Sequence, residues 1–98
     1  MNLFKNQLFS LGQIVSTPAA LEAIKEAGEY PETYLQRHVS GDWGDLEQDD
    51  KAMNNNAVTD KENPDRVFSA YAMGNGTKIW IITEWDRSAT TILLLSDY

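Results

Sequence analysis

"VFSAYAMGNGTKIWIITEWDRSATTILLL", residues 67–95, reads as three strands joined by two tight turns. Residues 67–73, 77–85 and 89–95 are rich in β-branched and aromatic side chains, the composition that suits a pleated, half-buried surface. Between the first two, Gly74-Asn75-Gly76 supplies residues that tolerate the positive φ of a hairpin turn. Asp86-Arg87-Ser88 reads as the second connection by the same logic. Ile79, Trp80, Ile81 and Ile82 are apolar on both faces, so a central strand is expected there. Helices should cover one side of it, and the N-terminal segment or a second subunit the other.

Upstream of Arg66 the period is helical. Residues 11–15 have room for a short strand, after which Thr17-Pro18 marks a helix start. Thr17 can accept an orphan N–H, and Pro18 fills the first helical position, where a missing donor costs nothing. That helix should run to about Ala27, with Leu21 and Ile24 inward and Gly28 as its stop. Pro31 opens a second helix whose Tyr34, Leu35, His38 and Val39 share one face, and Gly41 ends it. In Gly41-Asp42-Trp43-Gly44-Asp45 the glycines allow a tight connection that turns Trp43 into the core. Asp45 and Gln48 have the spacing of a capping box for a third helix, with Leu46, Met53 and Ala57 near one side and its end in the loop 59–64. The expected architecture is α+β in a single domain spanning 1–98. Its helical N-terminal half, of two to three short helices, packs on a C-terminal antiparallel sheet of three strands, with a short N-terminal strand as an addition.

Composition narrows the chemistry. The 98 residues include no cysteine and one histidine, which excludes disulfides, thiolate nucleophiles, Cys-ligated metal centres and multi-His sites. Neither a membrane-spanning run nor a secretory leader is legible, so a cytoplasmic protein without membrane contact is expected. A net charge of −7 repels a phosphate backbone, and the eight basic residues are scattered, so direct nucleic-acid binding is not expected. Asp42, Asp45, Glu47, Asp49 and Asp50 form an acidic stretch suited to a basic partner. It is no calcium loop: Gly44, Leu46 and Met53 occupy positions that need oxygen ligands. No metal or other cofactor is expected.

His38 could act as a general base, but no nucleophile elbow accompanies it, and its place between Leu35 and Val39 is that of a packing residue. Gly74-x-Gly76 joins two strands and lacks the helix N-terminus of a phosphate loop. Glu84, Asp86 and Arg87 then read as a turn with an internal ion pair. Trp80 and Trp85 beside them add residue types that carry interface energy.

The pattern Leu11-Gly12-Gln13-Ile14-Val15, Gly41-Asp42-Trp43-Gly44, Trp80-Ile81-Ile82-Thr83-Glu84 and Asp86-Arg87-Ser88 resembles a family of small bacterial proteins carried on plasmids and integrating elements, usually labelled plasmid-related. Trp85 departs from the small residue usual in that family, and Leu95-Ser96 from its acidic residue or proline. The resemblance implies a mobile-element protein. Joined to the acidic composition, it gives the leading expectation of a small interaction or regulatory protein that binds another protein, with a homodimer as a further option. The candidate contact residues are Asp42, Trp43, Asp45, Trp80, Glu84, Trp85, Asp86 and Arg87. The competing expectation is a small-ligand or hydrolytic pocket around Trp43, Glu84 and Arg87.

Overall fold

The structure is a computed structural model and describes residues 4–97. Strand β1 (Gln13–Ser16) leads into helices α1 (Pro18–Glu26), α2 (Pro31–Val39) and α3 (Gln48–Thr59). Strands β2 (Val67–Ala72), β3 (Lys78–Thr83) and β4 (Ala89–Leu94) follow, then a 3-10 turn (Leu95–Asp97). This is an α+β fold with its helices in the N-terminal half.

Local chemistry explains most boundaries. Thr17 caps α1, its hydroxyl oxygen accepting from Ala20 N at 3.1 Å, and Pro18 is the first helical residue. Gly28 takes a positive φ, which lets Glu29 N return to Ile24 O and close the helix end. The α2 helix buries the four expected residues, Tyr34, Leu35, His38 and Val39. Elsewhere tertiary contacts win. Leu21, expected inward, is 53% exposed, because the Ala20–Ile24 line points at the sheet and leaves Leu21 about 100° round the helix. The third helix begins at Gln48, with Glu47 rather than Asp45 at its N-cap, since Asp45 N donates instead to Ala70 O at 2.7 Å. Met53 points outward and Asn54 takes the buried position.

The strand order is β1-β4-β3-β2. The pairs β2–β3 and β3–β4 are antiparallel, as expected, but β1 joins β4 in parallel, Gln13 opposite Ala89 and Ser16 opposite Ile92. The sheet therefore has four strands and is mixed. Pairing starts at Gln13 rather than Leu11 because Gly12, at positive φ, presses against the carbonyls of Arg87 and Ser88, where any Cβ would clash.

One face of the sheet carries Ser69, Tyr71, Ile79, Ile81, Thr83, Thr90 and Ile92, and it receives the helices. Ala20 and Ile24 of α1 and Tyr34 and Leu35 of α2 complete the main core. Trp43, Ala57 and Val67 form a second cluster under α3. The β2 edge is sealed. Asn54 accepts from Phe68 N and donates to Phe68 O, as a neighbouring strand would, while Trp43 O and Asp45 N pair with Ala70. Gly44 sits so close to Ala70 O there that a Cβ would lie at 2.0 Å.

Candidate functional site

Alternation along the strands sends Phe68, Trp80, Ile82, Thr91 and Leu93 to the opposite face of the sheet. Phe68 stands opposite Ile82, Ile82 opposite Thr91, and Thr91 opposite Val15, while Trp80 lies between Ala70 and Leu93. The Phe68 and Trp80 rings are 6.1 Å apart, with the Arg66 guanidinium over Phe68. Phe68, Trp80 and Ile82 remain only partly buried, while Ala70 and Leu93 on either side of Trp80 are buried; the helix side chains of the core clusters belong to the other face. Trp80 is thus in an apolar field on a rigid support. Trp85, 59% exposed, follows the end of β3.

The turn after β3 departs from the expected ion pair. Arg87 adopts a positive φ of 60°, and its guanidinium donates to three backbone carbonyls: Asp65 at 2.7 Å, Glu84 at 3.1 Å and Ala57 at 3.1 Å. It also lies over the Phe9 ring. Binding carbonyls from α3, the 60–66 loop and the turn satisfies a half-buried cation better than one flexible carboxylate could. Burial pulls the guanidinium below its ordinary pKa, and the Asp65 carboxylate opposes this. Asp86 is used locally, its Oδ1 accepting from Ser88 N, and Ser88 holds its carboxyl below the usual range. Glu84 is exposed.

Asp42 is tied to the scaffold. Its carboxylate meets Arg37 Nε at 2.7 Å, and Arg37 in turn covers the Tyr71 ring. Arg37 holds that carboxyl below its ordinary pKa. Trp43 is 4% exposed, stacks on Phe9 and donates through Nε1 to Asn55. Asp45, Glu47 and Asp49 are exposed. The hollow that Arg87 lines, about 270 Å³ between Phe9 and Val58, includes neither Trp43 nor Glu84. The eight candidates therefore fall into three groups: Trp80 on the open face; Glu84, Trp85, Asp86 and Arg87 in the turn; and Asp42, Trp43 and Asp45 along the β2 edge.

Sequence reasoning missed a buried polar chain. His38 Nδ1 lies 2.6 Å from Ser69 Oγ, and Nε2 lies 2.9 Å from Thr83 Oγ1. Thr83 Oγ1 is 2.7 Å from Thr90 Oγ1, and Thr90 donates to Leu11 O. The carbonyl at one end sets every proton. Thr90 spends its hydrogen on Leu11, so Thr83 must donate to Thr90, Nε2–H to Thr83, and Ser69 to a bare Nδ1. The imidazole is neutral, and burial, then the charge of Arg87, pushes its pKa down to about 3. The Ser69–His38 contact has the form of a nucleophile and its base, yet both residues are fully buried, and so weak a base takes no proton at neutral pH. Three hydroxyls on the inward face of apolar strands were the available signal, since buried hydroxyls need partners.

Among the described residues no group of three or more His, Asp or Glu is placed to hold a metal ion, and no helix is long and apolar enough to cross a membrane. Comparison with family models, with curated proteins and with solved structures finds no match.

Proposed function

We propose that this chain is a small acidic binding protein of a mobile element, which acts by docking its uncovered sheet face onto another protein. The reading is carried by Trp80 in its setting. A large aromatic ring is held between Ala70 and Leu93 beside Phe68 and Ile82, on a sheet that needs no reordering to bind. Rigid aromatic surface gives contact area at small entropic cost, and tryptophan is over-represented among residues that dominate binding energy. The loop beside the β2 edge exposes Asp45 and Glu47, and Glu84 is exposed past the end of β3, while Arg66 over the Phe68 ring and Lys78, on the Trp80 face by alternation, are cations of the face itself. A net charge of −7 favours a basic partner, including a protein whose usual ligand is nucleic acid, and would speed encounter in a salt-dependent way.

The test is co-purification from host lysate with wild type, Trp80→Ser and an Asp45→Lys/Glu47→Lys double variant, each first shown to melt cooperatively. One protein in near-stoichiometric amount is expected with wild type. It should be lost with Trp80→Ser and bind more slowly, with weaker salt dependence, to the charge-reversed variant. Undiminished capture by a folded Trp80→Ser variant would overturn the reading.

A further inference from the structure

The two edges of the sheet are treated differently. Along β2 the outward groups of Phe68 and Ala70 are taken by Asn54, Trp43 and Asp45. Along β1, Gln13 N donates to Ser88 O at 3.0 Å and Thr17 N to Ile92 O at 2.9 Å, so the odd positions face β4. The two-residue period then turns the N–H and C=O of Ile14 and Ser16 outward, where no described residue pairs with them. An open edge of this kind is a template for another strand, and proteins usually blunt it with charge. Here no Lys, Arg, Asp or Glu stands between Lys5 and Glu22, in a chain that carries eight basic and fifteen acidic residues elsewhere. Ile14 and Val15 are exposed on this edge, 46% and 39%.

We propose that β1 is the surface through which two copies of this chain pair, strand against strand, antiparallel across a two-fold axis at Val15. The strand is complementary to itself about that point. Ile14 falls opposite Ser16 of the second copy, and each such pair exchanges two backbone hydrogen bonds. Val15 meets Val15 at the closer, non-hydrogen-bonded position, on the open face of the sheet. Charge selects the occupant. Two copies of a chain with net charge −7 repel each other over most approaches, and β1 is an edge whose own residues carry no charge. A basic foreign strand would find no carboxylate on β1 to reward it. Acids stand beside the two ends of β1: Asp97, which accepts from the Thr17 hydroxyl, and Asp86 in the turn that backs Gly12; both lie toward β4. Their like charge across the axis opposes pairing, so salt strengthens the dimer, opposite in sign to the binding of a basic partner. Four residues per strand make a small contact, and the association is weak and concentration-dependent.

The inference is independent of the reading of Trp80. It is tested by sedimentation equilibrium from micromolar to millimolar protein, at low and high salt. Wild type is expected to show a monomer–dimer equilibrium whose dimer fraction rises with salt. Val15→Lys and Val15→Glu should each dimerise at least about tenfold more weakly, since like charges directly opposite destabilise a strand pair, and their equimolar mixture should recover dimerisation. Ile14→Pro removes only an outward donor and should be monomeric while keeping its fold, judged by circular dichroism. A wild type that stays monomeric at millimolar concentration overturns the proposal. So does a dimer that survives all three substitutions, or a mixture of the two charged variants that fails to recover.

Discussion

His38 is neutral in the fold, whereas in the unfolded chain it titrates near its ordinary value of 6.5, and the gap couples stability to pH. Its folded pKa is depressed to about 3, so between pH 3 and 6.5 the unfolded chain binds the extra proton. Stability is therefore full above pH 6.5 and falls as pH drops, approaching about 1.4 kcal/mol per unit well inside that window. The carboxylates of Glu29, Asp42, Asp86 and Asp97, all held below their usual range, lose their contribution only as pH falls through the carboxylate range. Urea unfolding from pH 6.5 down to pH 5 thus isolates the imidazole. Wild type should lose stability across that interval, and His38→Gln, less stable at pH 7, should show a flat profile there. A slope that persists in His38→Gln would assign it to another group. At this scale the sequence revealed that His38 packs on an apolar helix face. It did not reveal the hydroxyls facing it, because Ser69, Thr83 and Thr90 are 31, 45 and 52 positions away and meet His38 or its partner only through strand register.

Among the elements, α3 shows how a sequence pattern and its use can part. Its apolar positions predict a helix anchored by Leu46, Met53 and Ala57; Ala57 is buried and Leu46 packs against its cluster, but Met53 is exposed and Asn54 turns inward in its place, because its amide presents one donor and one acceptor at the spacing of the Phe68 backbone. A side-chain amide standing in for a strand leaves no mark in hydrophobic periodicity. Asn54→Leu keeps the volume and removes both bonds. The loss expected in urea unfolding is about 1–3 kcal/mol, from leaving a partly buried N–H and C=O unpaired. The Phe68 stretch of the β2 edge, opened while Ala70 stays paired, should also raise light scattering with protein concentration. Unchanged stability would mean that water serves Phe68 equally well. The strands themselves were legible because β-branched and aromatic runs alternate over 67–95 with the turns Gly74-Asn75-Gly76 and Asp86-Arg87-Ser88. Local cues likewise place α1 and α2, whereas the Asp45–Gln48 cap failed because a sheet-edge hydrogen bond competed for the Asp45 backbone.

Over the whole molecule, the three tryptophans sample three depths: Trp43 between Phe9 and the α3 helix, Trp80 on the open face, and Trp85 in solvent beyond β3. Acrylamide quenching of single-tryptophan variants should rank Trp85 above Trp80 above Trp43. Addition of a binding partner should protect Trp80 selectively. Trp80 quenched no more than Trp43 in the free protein would mean that the sheet face is already covered. What single-sequence reasoning could not reach is the parallel pairing of β1 with β4, since residues 13–16 carry no feature that names a partner near residue 90. The candidate residues were legible as types, and their separation into three groups was not, because that separation is decided by strand alternation and by which edge the Trp43 loop joins.

The parallel pairing also orders events in time. The strand beside which β1 lies follows every other described strand, so a chain growing from its N-terminus carries Ile14 and Val15 unpaired with it until residues 89–92 exist to receive them. The β2–β3–β4 meander closes through short turns and is expected to form first, with β1 added afterwards at the cost of a loop more than 70 residues long, Gln13 to Ala89. Attachment of the first strand is then the expected slow step of folding, and its detachment the expected first opening of the native protein.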